Sequence, residues 1–129
     1  MQIIYMDSYH GQKSVIIAGD RKAIQMLRNV FSLQDAPIGS LLMKIGHDEA
    51  KFKGGISELN VYTATYDDVI SKDSKLEWFI SDESIRFCLG LVDGLLSSSD
   101  SGHQYVYSRP INIQIVISKD EYPPENSLR

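Results

Sequence analysis

Three histidines, a single cysteine and the run "GHDE" are the places where this 129-residue chain could hold chemistry. His10, His47 and His103 each adjoin a glycine, which places all three in turns. Converging turns could assemble an imidazole metal site, but no two of the three have ligand-pair spacing, so surface turn histidines are expected. "GHDE" (46–49) sets an imidazole beside two carboxylates. Acid–base work needs such groups aimed at one reacting atom, and successive residues of a loop rarely converge in that way. Cys88 falls on the apolar stripe of a predicted helix, where burial denies it the access and lowered pKa of a nucleophile. "GDRKAI" and "SDESI" begin helices whose N–H groups could hold an anion. Asp20, Asp82 and Glu83 already bring carboxylates there, so capping is the expected role. "GHDEAKFKGG" (46–55) has two lysines and a glycine pair without the spacing of a Walker loop, so a solvated hairpin loop is expected there. The sequence therefore predicts no catalytic residue, no metal ligand and no cofactor.

Acidic residues are more suggestive. Asp67, Asp68, Asp73, Glu77, Asp82 and Glu83 gather around one linker and the helix that follows, diluted by Lys72 and Lys75. A charge cluster of this kind is ordinarily a solvated face. Its sharper reading is an acidic surface that steers a basic protein into contact, and these six are the candidate partner-binding residues. With 13 basic and 17 acidic residues the net charge is −4, which argues against nucleic acid, whose binding rests on Lys and Arg neutralising phosphates. One cysteine excludes an intrachain disulfide and a Cys-rich zinc site. The start lacks a basic leader, and no stretch approaches the roughly 20 apolar residues of a membrane helix. A soluble, cytoplasmic protein of one domain spanning 1–129 is expected.

The elements repeat. "QIIYM" (2–6) and "SVIIA" (14–18) predict a strand hairpin around Gly11, and Asp20 caps a helix carrying Ile24, Leu27, Val30 and Phe31 on one side. Strands follow at 40–45 and 56–64; in the second, Leu59 and Val61 face one way, and Glu58, Asn60 and Tyr62 the other. The polar stretch 65–75 reads as a loop. The pattern then returns: a strand at 76–80, a cap at Ser81 or Asp82, and a stripe of Ile85, Cys88, Val92, Leu95 and Leu96. An offset of 61 sets Ile24 on Ile85, Leu27 on Cys88 and Phe31 on Val92. Strands at 104–108 and 111–118 complete the second unit, and 119–129 reads as a polar tail. Phe87 and Leu91 widen the second helix's apolar arc, and Gly90 and Gly94 would admit a close backbone neighbour. Two apolar-striped helices and several two-faced strands predict an α+β fold. The expected form is a two-layer sandwich, one mainly antiparallel sheet with both helices on one face. It would be built from two β-α-β-β units (about 14–64 and 76–118) plus a leading strand.

"VIIAGDRKAIQMLRNVF", "APIGS" and "ISELNVY", within 15–62, resemble the small bacterial immunity proteins of polymorphic and contact-dependent growth-inhibition toxin systems. The resemblance implies a cytoplasmic, non-enzymatic inhibitor that occludes a cognate toxin domain, often a nuclease, through a surface that varies within the family. Together with the acidic balance it predicts a protein partner, a basic toxin domain, with neither nucleic acid nor membrane bound. A small-molecule-binding or regulatory α+β domain, with its ligand between the two halves, is the alternative.

Overall fold

The computed structural model describes residues 1–33 and 35–121. In chain order the strands are β1 (Gln2–Tyr9), β2 (Gln12–Gly19), β3 (Leu41–Ile45), β4 (Lys51–Lys53), β5 (Glu58–Thr63), β6 (Asp68–Lys72), β7 (Lys75–Ile80), β8 (Gly102–Tyr105) and β9 (Gln114–Lys119). Helix α1 (Arg21–Phe31) follows β2, and α2 (Asp82–Ser97) follows β7. The fold is α+β, with two helices as expected. The strands, however, form two mixed sheets in place of one: five strands in the order β4-β1-β2-β9-β8, and four in the order β3-β5-β7-β6.

Each sheet borrows from both halves of the chain. The β1–β2 hairpin pairs in parallel with β9, which is itself antiparallel to β8. The β6–β7 hairpin pairs in parallel with β5, which is antiparallel to β3. The repeat unit is thus β-β-α-β-β, and the two units exchange their last strand pairs. The registers agree position by position. Ser14 opposite Gln114, Ile16 opposite Val116 and Ala18 opposite Ser118 correspond to Lys75 opposite Glu58, Glu77 opposite Asn60 and Phe79 opposite Tyr62. The helix caps obey the same relation: Asp20 accepts from Ala23 N–H, and Ser81, 61 positions on, accepts from Ser84 N–H.

One core joins both sheets and both helices. Ile24, Leu27 and Phe31 of α1 and Ile85, Cys88 and Val92 of α2 are all buried in it, with Ile17, Trp78, Leu59, Val61, Ile115 and Ile117 from the inner sheet faces. Phe31 meets Trp78 edge-on with ring centroids 6.1 Å apart, so the helix of one half packs on a strand of the other. Arg28 pairs with Asp93 at 2.5 Å across the two helices. The last turn of α2 has no basic residue of its own. Arg21 and the buried Lys119 supply that charge from elsewhere, donating to the carbonyls of Leu96 and Ser98, both at 2.5 Å.

Several expectations are corrected. Residues 68–72 are a strand: only Val69 turns fully inward, so an edge strand with one buried apolar position looks like a loop until β7 pairs with it. Lys51–Lys53, expected in a solvated loop, forms β4 against β1. Ile111 and Ile113 lie before β9, which begins at Gln114 and runs through Lys119. The expected tail begins later than 119, because Glu121 accepts from Ser118 Oγ and contacts His103 Nδ1; the remainder, 122–129, lies outside the described residues. Phe87 is half exposed and Leu91 rests against the core. Gly90 and Gly94 face open space, so no backbone approaches them.

Candidate functional site

Among the described residues no helix covers the outer face of the four-stranded sheet, and its side chains can be read off the register in three rows. At one end Glu58, Lys75 and Lys72 form a charged row; Lys44, Asn60, Glu77 and Ile70 form the next; Leu41, Tyr62, Phe79 and Asp68 form the last. Paired residues share a face, so every member of a row points outward together. In the last row Tyr62 stacks on Phe79 with centroids 5.6 Å apart and planes 21° from parallel. Tyr66, from the β5–β6 connection, stacks on Phe79 as well, at 5.8 Å and 29°. Tyr66, Leu41 and Ile70 are 55, 51 and 41% exposed, which makes this an apolar surface presented to solvent.

The polar rows are incompletely matched. Glu58 takes a 2.7 Å hydrogen bond from Asn60 Nδ2 and loose ion pairs from Lys44 (3.9 Å) and Lys75 (3.7 Å). The Asn60 hydrogen bond and the two lysines outweigh desolvation and hold the Glu58 carboxyl below its ordinary value. Beside it, Asn60 Oδ1 and Glu77 Oε2 are shut off from solvent with no hydrogen-bond donor. A buried acceptor left in that state costs about 1–3 kcal/mol. Desolvation first, then the charge and hydrogen bonding of Glu77, raise the pKa of the Tyr62 hydroxyl.

The six acidic residues singled out in the sequence divide into three groups. Asp68 and Glu77 lie on this outer face, and Asp73 sits in the β6–β7 turn at its margin, with φ of 53°. Asp82 and Glu83 occupy the exposed first turn of α2. Asp67 is turned inward, its side chain 5% exposed. It accepts from Ser81 N–H and Oγ and from the Tyr107 hydroxyl, all at 2.9 Å, and from Arg109 at 2.6 Å. Tyr107 in turn accepts from Trp78 Nε1. Burial pushes the Asp67 carboxyl up, but the Ser81 and Tyr107 hydrogen bonds prevail and hold it low. Burial, above all else, raises the Tyr107 hydroxyl, so it stays a donor. Asp67 therefore ties the β5–β6 connection, the α2 cap and the segment after β8 together, and it presents no charge to a visitor.

The other candidates stand apart. His10 is in the β1–β2 turn, His47 in the loop before β4, and His103 on β8 beside Glu121. Among the described residues no three His, Cys, Asp or Glu side chains could hold a metal ion together. A surface cleft of about 440 Å³ brings His47, Asp48 and Glu49 near Asp20 and Asp120. Glu49 there accepts from Gly46 N–H and Asp20 from Ala23 N–H, so two of its carboxylates serve as local caps. Burial and the nearby Asp67 charge raise the Cys88 thiol far above its ordinary value.

Sequence reasoning missed Tyr66, Phe79 and Ile70. The signal was present in part: alternation in 76–80 sets Glu77 and Phe79 on one side, in phase with the polar side of β5 that carries Asn60 and Tyr62. Among the described residues no helix is long and apolar enough to cross a membrane. No family model, curated protein or solved structure matches this chain.

Proposed function

We propose that the chain is a non-enzymatic, protein-binding inhibitor that docks through the open face of its four-stranded sheet. The observation that carries this reading is the Tyr62–Phe79–Tyr66 stack, set among exposed Leu41 and Ile70 on a face that no described helix covers. Rigid aromatic side chains are the anchors that dominate binding energy at protein interfaces, and a polar rim around them excludes water. Asp68, Asp73 and Glu77 supply an acidic part of that rim, and the net charge of −4 favours a basic partner. The resemblance across 15–62 narrows the partner to a cognate toxin domain, a nuclease in many such systems, occluded in the cytoplasm by direct contact. Carboxylates at the rim would stand where such a nuclease receives phosphates.

The alternative is a small-molecule-binding or regulatory domain with its ligand between the two halves, and it has less behind it, because those halves interleave in both sheets and one core. Co-expression with the product of the gene immediately upstream tests the proposal. A complex that purifies intact and relief of that product's toxicity are expected. No complex and no relief would end the inhibitor reading.

A further inference from the structure

The middle row of the open face is unfinished in a way that specifies a ligand. Asn60 and Glu77 are directly paired across β5 and β7, so their side chains stand about one strand spacing, roughly 4.8 Å, apart. Asn60 Oδ1 and Glu77 Oε2 are each buried without a hydrogen-bond partner, although the Glu77 carboxylate also accepts a hydrogen bond from the Tyr62 hydroxyl, and Asn60 is only 6% exposed. One of the two acceptors belongs to a carboxylate, yet Lys44 and Lys75, two of the three lysines on this face, turn to Glu58. The next row along the same strands is the Tyr62–Phe79 stack. Two adjacent acceptors, one of them a carboxylate oxygen, beside an aromatic surface match a guanidinium. It is planar, presents parallel N–H donors, and stacks on aromatic faces where an ammonium ion gains less.

We infer that the open face recognises an arginine side chain of the partner, laid against Phe79 and Tyr62 and donating to Glu77 Oε2 and Asn60 Oδ1. This rests on the protein-binding reading and gives it a specific contact. Both acceptors are closed to solvent in the unbound chain, so a surface side chain moves to admit the arginine. Lys44 and Lys75, with side chains 60 and 54% exposed and pairs of 3.9 and 3.7 Å, are held loosely enough to do so.

The test is an NMR titration of the isotopically labelled chain with N-acetyl-arginine methylamide, with the corresponding lysine amide as comparison. Saturable shifts are expected at the Asn60 side-chain amide and the Tyr62 and Phe79 rings, with the lysine amide several-fold weaker. Glu77→Gln, which keeps the shape and removes the charge, should weaken the arginine amide by about tenfold, a factor that corresponds to about 1.4 kcal/mol. Unsaturable or scattered shifts, equal binding of both amides, or an unaltered affinity in E77Q would overturn the inference. The two readings fail separately. A chain that binds the arginine amide but no upstream gene product keeps this site and loses the inhibitor role. A protein partner captured equally well by E77Q does the reverse.

Discussion

The outer faces of the two sheets occupy equivalent places in the repeat and have been built to opposite ends. On the five-stranded sheet, Ile4, Ile16, Ala18 and Val116 form an apolar cluster at most 3% exposed, with Met6 and Tyr9 packed against it. On the four-stranded sheet, the same positions hold Ile70, Glu77, Phe79 and Asn60. The inner faces show no such divergence: Ile17 and Trp78, Ile115 and Leu59, Ile117 and Val61 are all buried and apolar. A shared core constrains the inward side of both units alike, since any gap or excess volume there is felt at once. The outward side is released from that constraint, and one sheet uses the release to close a second apolar layer while the other displays aromatics and charges. Function is therefore sought where the repeat disagrees with itself.

Exchanging residues between equivalent positions is the strongest way to break this comparison. Ile16→Glu buries a carboxylate without a partner on a central strand and should destabilise by about 4 kcal/mol or more. Glu77→Ile, at the matching position, should leave stability within about 1 kcal/mol of the parent, because it removes an ill-matched buried oxygen. Urea unfolding of the two variants gives the contrast directly.

Next in size is Asp67. Asp67→Asn replaces a charged acceptor of four hydrogen bonds and should cost about 2–3 kcal/mol at neutral pH. Its folded pKa lies below the ordinary value. The stabilisation is therefore fully present above the unfolded pKa near 3.9 and is lost as pH falls through the lower folded value. Unfolding measured between pH 7 and 2 should show an acid limb in the parent that is flatter in D67N.

Phe79→Ala separates stability from binding. Phe79 lies part-buried on an outer face and outside the core, so the fold should lose only about 1–2 kcal/mol. Partner affinity should fall by about 2 kcal/mol or more, some 30-fold, if the stack is the anchor. Calorimetry on the complex reads the second number and thermal unfolding the first. The smallest expected effect lies away from both faces. Gly90→Ala and Gly94→Ala, each facing open space within α2, should stabilise by about 0.5–1 kcal/mol apiece and leave binding unchanged.

What the sequence disclosed follows from distance along the chain. The Asp20 and Ser81 caps, the Ile24–Leu27–Phe31 stripe and the 61-residue offset are local or periodic, and all are visible as pattern. The division into two sheets was not, because β2 finds β9 roughly a hundred residues away and periodicity specifies which face is buried but never against which strand. The same holds for the candidate site. Glu77, Asp68 and Asp73 were picked out by charge alone, which could not tell them from Asp67, whose inward turn depends on Tyr107 and Arg109 some 40 residues on. Tyr62, Tyr66 and Phe79 come from three segments, and only the parallel register of β5 with β7 brings them together.

Hydroxyl-radical footprinting reads side chains on both outer faces in one experiment, with and without the upstream gene product bound. Loss of reactivity at Tyr62, Tyr66 and Phe79, with Tyr105 on the five-stranded sheet unchanged, is the expected result. Protection of Tyr105 with Tyr66 and Phe79 as reactive as before would place the partner on the wrong sheet and contradict the account.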